Sequence, residues 1–226
     1  PGLSREIFAF CSPECAPTRR RPSASRLAGS VLAQGQALWD DRGCMALSIL
    51  WGLYLLAFAV NHLQARAGKS VPERRVRTDP RSGLGLAMQF GAVLLTFLFR
   101  RGDAGSIPTT AVGITLGAIS VALTWWGLAH LGRQWRLQAV VTDDHTLITT
   151  GPYAWVRHPV YTAFFGMLLA DVLLLSSWWA GAAAVVLYIA GTEIRIWVEE
   201  RLLSAHFADH FVAYRSRVTA WLPPVR

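Results

Sequence analysis

Long apolar runs constrain this chain more than any other feature of its sequence. Hydrophobic residues make up 53% of the 226 residues and charged residues only 16%, well below the roughly 25% typical of a soluble domain. A bilayer core about 30 Å thick requires roughly 20 apolar residues of helix. The runs that meet this requirement are 45–63, 82–99, 109–131, 159–176 and 178–198. We therefore expect an all-α integral membrane helix bundle of about five transmembrane helices, the last two forming a tight hairpin.

Three regions follow from these spans. Residues 1–44 are rich in Pro, Ser and Arg and predict a poorly ordered basic N-terminal extension. Residues 45–131 predict a three-helix membrane scaffold, and residues 132–226 predict a polar loop, the transmembrane hairpin and a cytoplasmic tail. Gly113 and Gly117 form a GxxxG pair in the third span, which indicates close helix packing.

The net charge of +8 predicts membrane topology rather than nucleic-acid binding. The arginines lie in loops beside the apolar runs, a distribution typical of orientation and anionic-lipid contact. With five spans, the loop after the first span, the loop after the third and the tail share one side, which the positive-inside tendency assigns to the cytoplasm. The basic N-terminal segment then faces outward, against that tendency. Cys11 and Cys15 lack a second Cys or His pair nearby, so we expect no metal site.

Polar residues capable of chemistry are concentrated between Gln138 and Tyr214. Gly151-Pro152 indicates a turn, and Pro159 suits the first turn of a helix, where its missing N–H costs nothing. Two tyrosines, two histidines and an arginine therefore gather where a helix enters the membrane. Such a helix start also offers N–H groups to an anionic group.

The later spans contain ionisable residues, which are costly in a membrane unless they are paired or functional. Arg195 and Glu199 are four residues apart and so share one face of the fifth span. An interfacial pair with no role in chemistry is the alternative interpretation. For Asp171, inside the fourth span, we expect a structural hydrogen bond.

The segment Gly151-Pro-Tyr-Ala-Trp-Val-Arg-His-Pro-Val-Tyr161 precedes a Glu199-Glu200 pair and then Phe207, Tyr214, Val218 and Pro223. Together these residues resemble the isoprenylcysteine carboxyl methyltransferase family, part of a wider group of membrane methyltransferases that includes phospholipid N-methyltransferases. The resemblance covers about residues 130–226. It implies a helix bundle that binds S-adenosylmethionine at the cytoplasmic face without a Rossmann domain. The sequence agrees in lacking a G-x-G-x-x-G turn after a strand.

The resemblance also implies roles for individual residues. Arg195 would meet a lipophilic or prenylated substrate, and Arg195, Glu199 and His158 would be the catalytic residues. The residues placed around the cofactor are Gln138, His145, Leu147, Ile148, Tyr153, His158, Pro159, Tyr161 and Glu199. Two departures from the family pattern are Ala163, where the family has Gly and where a methyl group would narrow the cofactor pocket, and Ala208 with Phe211, where the family reads Gly and Tyr.

The chemistry of these side chains suggests a division of labour. Glu199 suits the ammonium of the methyl donor, and His158 or the first-turn N–H groups suit its carboxylate. Tyr153 and Tyr161 suit adenine or the sulfonium, and Arg195 can hold a substrate carboxylate bidentately. An amine acceptor would need a base, for which His158 or Glu200 is the candidate.

Several functions remain open at this point. Carboxyl O-methylation of an isoprenylcysteine-like acid ranks first because Arg195 favours an anionic acceptor. A phospholipid or amine N-methyltransferase ranks second and a small-thiol S-methyltransferase third. A membrane-lipid reductase is a further reading, which Glu199 and the Arg-His-Pro segment disfavour. A non-catalytic lipid-binding or transport protein is the alternative from another class, although a transporter more often shows an internal repeat and polar breaks within its spans.

Overall fold

The computed structural model describes residues 24–67, 75–101, 106–135, 140–142 and 146–222. The chain divides into two compact units, Pro1–Gly35 and Gln36–Arg226. The described part of the first unit, residues 24–35, is the beginning of a helix. Cys11, Cys15, Gln138, His145 and Pro223 lie outside the described residues.

Helices dominate the described chain. The six α-helices are α1 (Ala24–Ala67), α2 (Arg81–Leu98), α3 (Ile107–Leu131), α4 (Pro159–Leu174), α5 (Trp178–Phe207) and α6 (Asp209–Arg215). Two strands, β1 (Arg75–Thr78) and β2 (Val140–Thr142), pair antiparallel with Arg75 opposite Thr142. This short ribbon was not predicted, and it joins the loops that follow α1 and α3. The predicted helical bundle is otherwise confirmed.

The membrane-spanning helices differ in their bounds from the five predicted spans. Among the residues that the structure describes, four helical segments are long and apolar enough to cross a bilayer: Gly43–Arg66, Arg81–Leu98, Ile107–Leu131 and Trp178–Phe207. Helix α4 has 16 residues and is about 24 Å long, which is shorter than the hydrocarbon core. Helix α5 has 30 residues and continues beyond the predicted end at residue 198. Helix α1 begins at Ala24, well before the predicted boundary at residue 45.

Small residues set the closest helix contacts. Helix α2 crosses α5 at Gly85 and Gly191, where a Cβ added to Gly85 would lie 2.5 Å from the carbonyl oxygen of Gly191. In α3, a Cβ on Gly113 would lie 2.8 Å from Leu174, and one on Gly117 would lie 2.7 Å from Leu50. The GxxxG prediction of close packing is therefore confirmed, with α4 and α1 as the partners.

Helix α1 is tied to its neighbours by two buried polar contacts. The indole Nε1 of Trp51 donates to Asp171 Oδ1 at 2.8 Å, which confirms the structural hydrogen bond expected of Asp171. Asn61 donates through Nδ2 to the carbonyl oxygens of Leu128 and Gly132, at 3.3 and 2.9 Å. These contacts align the end of α1 with the end of α3, at the same end of the bundle where α2 and α4 begin.

Candidate functional site

A cavity of about 430 Å³ lies between the helices at this end of the bundle. Its wall has a polar part, which includes His158, Tyr161, Arg195 and Glu199, and a part that is mostly aromatic and aliphatic. Leu147, Ile148, Tyr153 and Pro159 also line it. Every described residue that was predicted to be catalytic or to contact the cofactor therefore lines one cavity, whereas Glu200, the alternative base for an amine acceptor, is not among the lining residues. The placements of Gln138 and His145 stay predictions.

Tyr161 links Arg195 and Glu199 of α5. Its hydroxyl donates to Glu199 Oε1 and accepts from Arg195 Nε at 2.8 Å. The guanidinium of Arg195 also lies 5.3 Å from the centroid of the Tyr161 ring, and its Nη2 is 3.5 Å from Glu199 Oε1. One edge of Arg195 is thus committed to Tyr161 and Glu199. The expected bidentate grip on an acceptor through that edge would require Tyr161 to move.

His158 lies between two carboxylates. Its Nδ1 is 3.4 Å from Glu199 Oε2, and its Nε2 is 3.4 Å from Glu200 Oε1. Burial lowers the pKa of His158, but hydrogen bonds to Glu199 and Glu200 and their negative charges outweigh it, so the pKa lies above its ordinary value of 6.5. Because both ring nitrogens of His158 face carboxylates, neither is free to accept a proton from a ligand. His158 is also engaged with glutamates rather than presented to the carboxylate of a ligand.

Arg157 has a structural role that the sequence did not reveal. It donates to Glu200 Oε1 through Nε at 2.8 Å, and its Nη2 lies 2.7 Å from the same oxygen. Its Nη1 donates to the carbonyl oxygens of Val218 and Arg215. Arg157 therefore joins Glu200 to the C-terminal tail, which comprises residues 209–222. Its position beside His158 in the Arg-His-Pro segment was the available signal.

The C-terminal tail fixes the backbone of the segment before α4. Arg157 N and His158 N donate to the carbonyl oxygens of Thr219 and Ala220, each at 2.9 Å. Trp221 Nε1 donates to Glu193 Oε1 on α5 at 2.9 Å. Because these bonds connect the tail to both α4 and α5, the tail holds His158 in register with the glutamates.

Tyr214 of α6 and Tyr153 form a second link between the tail and the cavity. The Tyr214 hydroxyl donates to the carbonyl oxygen of Tyr153 at 2.6 Å. Burial raises the pKa of Tyr153, and the charge of Glu199 and the proximity of Tyr214 raise it further. Burial also raises the pKa of Tyr214, to about 12, although Arg157 opposes this effect. Both phenols are therefore protonated at neutral pH and can donate hydrogen bonds.

A side-chain amide and a glycine position the loop that precedes α4. Gln134 accepts from Thr146 N at 2.6 Å and donates to Thr146 Oγ1 at 2.8 Å, which fixes the start of the stretch carrying Leu147 and Ile148. Gly151 has a φ of +61°, and a Cβ there would lie 2.3 Å from the His130 ring. Only glycine meets both requirements without strain.

The start of α4 offers less to an anion than the sequence suggested. The N–H groups of Tyr161 and Thr162 donate to the carbonyl oxygen of His158, at 3.0 and 3.2 Å, and Pro159 has no N–H. Two N–H groups of the first turn are therefore already used. The sequence suggested that this turn binds a ligand carboxylate, but most of its N–H groups are not available to do so.

The apolar part of the cavity reaches the lipid-facing surface. Trp51, Tyr54 and Phe164 pack edge-on or tilted, with ring centroids 5.5 to 6.3 Å apart. Leu55 on α1 and Phe90 on α2 line the cavity, and they are 58% and 53% exposed. The cavity therefore opens toward the bilayer between α1 and α2.

The two departures from the family pattern have different outcomes. Ala163 is buried but is not among the residues that line the cavity, so its methyl group does not narrow it as expected. Ala208 adopts a φ of +47° and a ψ of −123° between α5 and α6, a conformation that favours glycine. Phe211 is buried and lines the cavity, without the hydroxyl of the expected tyrosine.

Comparison with known proteins agrees with this geometry. Residues 112–205 match the model of the isoprenylcysteine carboxyl methyltransferase (ICMT) family. Protein-S-isoprenylcysteine O-methyltransferase of Schizosaccharomyces pombe is 26% identical over 136 residues, which are 60% of this chain and 56% of that protein. The Saccharomyces cerevisiae protein of the same name is 32% identical over 36% of this chain and 34% of its own length. The human protein of the same name is 31% identical over 38% of this chain and 30% of its own length. The alignments thus cover little more than half of these relatives at most.

Proposed function

We propose that this chain, whose residues 112–205 match the model of the isoprenylcysteine carboxyl methyltransferase family, is an S-adenosylmethionine-dependent methyltransferase of the membrane. Its acceptor is the carboxylate of a lipophilic acid of the isoprenylcysteine type. The observation that carries the proposal is one cavity in which Arg195, Tyr161, Glu199 and His158 form a continuous network at the polar end while the other end opens to lipid.

The polar end of the cavity fits the methyl donor. The donor carries an ammonium, a cationic sulfur and an aromatic base. The Glu199 side chain is 23% exposed within a wall that includes the rings of Tyr153 and Tyr161. A carboxylate beside aromatic faces suits a cationic ligand with a stacking surface. Glu199, Tyr153, Tyr161, Leu147 and Ile148 would therefore hold S-adenosylmethionine, which supplies an electrophilic methyl group when bound.

The protein's own residues have to orient the acceptor and exclude water. Arg195 is 4% exposed and lines the cavity where the polar and apolar parts meet. A guanidinium in such a place attracts a carboxylate and gives it one orientation. The apolar wall formed by Trp51, Tyr54 and Phe164 accommodates the lipid part of the acceptor and keeps water out.

A carboxylate acceptor agrees better with the site than an amine does. A carboxylate is already nucleophilic and needs no base, whereas an ammonium has to lose a proton first. His158 and Glu200 were the candidate bases. His158 is held by Glu199 and Glu200, and Glu200 is held by Arg157, His158 and Arg215, so neither is placed to accept a proton from an acceptor.

We place the active site at the cytoplasmic face. The bundle end that holds the cavity also carries the arginine-rich loop after α1 and the basic tail. The positive-inside tendency assigns such loops to the cytoplasm. The lipid bilayer is then the route by which a lipophilic acceptor reaches the cavity between α1 and α2.

Membranes containing the protein are incubated with methyl-labelled S-adenosylmethionine and N-acetyl-S-farnesylcysteine, and the extracted product is treated with base. We expect label to be released as methanol, because methyl esters hydrolyse in base. Label that stays in a base-stable product would indicate methylation of nitrogen or sulfur and would overturn the carboxylate assignment. Absence of incorporation, with the labelled donor still bound, would show that this class of acceptor is wrong.

A further inference from the structure

A buried amide lies in the otherwise apolar half of the cavity. Gln89 on α2 lines the cavity and is 1% exposed. Its Nε2 donates to Thr192 Oγ1 on α5 at 2.8 Å. Within the described parts of the chain, no donor hydrogen-bonds its Oε1. Its neighbours in this half of the wall are aromatic or aliphatic: Trp51, Tyr54, Leu55, Leu86, Phe90 and Phe164.

An amide oxygen that faces an apolar cavity wall without a hydrogen-bond partner is unfavourable. The bond to Thr192 holds the Gln89 amide at the wall of the cavity, so the amide is not free to turn toward bulk water. The oxygen is therefore built to meet a hydrogen-bond donor that enters the cavity. An apolar residue at this position would suit a purely hydrocarbon ligand better.

The position of Gln89 relative to Arg195 indicates which part of a ligand it meets. Helices α2 and α5 are in register here: a Cβ on Gly85 would lie 2.7 Å from Arg195 Cγ, and a Cβ on Gly191 would lie 3.3 Å from Gln89 N. Thr192 precedes Arg195 by three residues, about 4.5 Å along the helix axis toward the bilayer. The amide of Gln89 thus lies about one helical turn from Arg195, on its lipid side.

We propose that Gln89 is a specificity-determining residue whose amide oxygen accepts a hydrogen bond from an N–H of the acceptor next to its carboxylate. This inference rests on the proposed function, in which Arg195 meets that carboxylate. The substrate class it selects is an N-acylated S-alkyl amino acid, with a peptide-like amide on the carbon that carries the carboxylate. A fatty acid or other lipophilic acid without this N–H leaves the oxygen of Gln89 facing hydrocarbon.

The test compares two acceptors on the same preparation of the protein in lipid nanodiscs. One is N-acetyl-S-farnesylcysteine, and the other is the same acid without its acetamido group. We expect the wild type to favour the amide-bearing acceptor in kcat/KM by about tenfold or more, the effect of leaving one buried group unmatched. In Gln89→Met, which keeps the length of the side chain, this ratio falls toward one.

Two further variants keep the test decisive. Thr192→Val removes the partner of Gln89 Nε2 and should lower the ratio in part, even if Gln89→Met fails to fold. Thr96→Val removes an equally buried hydroxyl on α2, bonded to Val93 O at 2.7 Å and absent from the cavity wall described, and should keep the wild-type ratio.

The results separate failure of this inference from failure of the proposed function. A wild type that esterifies both acceptors with equal kcat/KM would overturn the role of Gln89 and leave carboxyl methylation intact. A Gln89→Met variant that keeps the wild-type ratio would overturn it as well. Esterification of neither acceptor would remove the proposed function, and the inference with it.

Discussion

At the scale of single residues, the site is a series of side chains of opposite charge, with Tyr161 as the neutral link between Arg195 and Glu199. Arg195, Tyr161, Glu199, His158 and Glu200 follow one another in contact, and Arg157 closes the series onto the tail. Each charged group in this buried network has a partner of opposite sign, which offsets the cost of removing it from water. The network therefore fixes the carboxylate of Glu199, which the cavity needs in one place.

The first prediction concerns the pH dependence of stability. Folding raises the pKa of His158, so its imidazolium stabilises the fold fully at pH values below about 6.5, the unfolded value. This contribution is lost as the pH rises through the raised folded pKa. In detergent, the Tm of the wild type should decline over that range, and His158→Gln should remove this part of the decline. His62→Gln, which alters an exposed histidine of α1, should behave as the wild type does; an unchanged profile in His158→Gln would contradict the account.

The second prediction concerns Arg157 and the buried carboxylate of Glu200. Arg157→Gln leaves Glu200 buried without its main cation, and removal of one partner of a buried pair costs about 3–5 kcal/mol. We expect a large loss of unfolding free energy from chemical denaturation in detergent. Arg217→Gln is the control because Arg217 is exposed on the same tail. Equal stability of the two variants would show that Arg157 does not hold the tail.

At the scale of the elements, the C-terminal tail and the α2–α5 crossing determine where the site residues lie. The tail pairs with residues 156–158 and bonds to Glu193. The crossing brings Gly85 of α2 against Arg195 of α5. Both contacts depend on a few small or strained backbone positions rather than on large apolar surfaces, so single substitutions there have strong effects.

The junction of α5 and α6 offers a stabilising substitution. Ala208 is held at a φ of +47°, a conformation that costs a non-glycine residue about 1–3 kcal/mol. Ala208→Gly relieves this strain but adds some entropy to the unfolded chain. We expect a net gain of about 1 kcal/mol, measured as a higher Tm in detergent. A lower Tm would show that the junction is not strained.

The crossing of α2 and α5 offers a destabilising substitution, with a control on the same helix. In Gly85→Ala the new methyl group would lie 2.5 Å from the carbonyl oxygen of Gly191, so the helices have to separate and Arg195 has to shift. We expect loss of both stability and methyl transfer. Gly83→Ala places a methyl group on the same helix with nothing within 4 Å and should keep both. If the two variants behave alike, the close contact is unimportant.

At the scale of the whole molecule, the sequence predicted those features that depend on local chemistry. The apolar runs predicted the helix bundle, and the glycine pair of α3 predicted a close contact between helices. The motif around His158, together with Arg195 and Glu199, predicted the polar residues that line the cavity, but not the apolar wall from α1 and α2. Contacts between distant segments could not be predicted: the Arg157–Glu200 pair, the His158–Ala220 bond to the tail and the Gln89–Thr192 bond join residues 43, 62 and 103 positions apart. Helix α4 was predicted to within two residues of its end, whereas the extension of α5 to Phe207 was not, because apolar composition does not mark where a helix ends.

The central claim is that the polar end of the cavity binds the methyl donor through Glu199. The most direct test is calorimetric titration of S-adenosylmethionine into the purified protein in detergent. We predict that Glu199→Ala weakens binding by about 1.5–3 kcal/mol, the range for a hydrogen bond to a charged group, or roughly 10- to 150-fold in Kd. Glu193→Gln, on the same helix but bonded to Trp221, should bind as tightly as the wild type. Unchanged affinity in Glu199→Ala would remove Glu199 from the donor site and contradict the account.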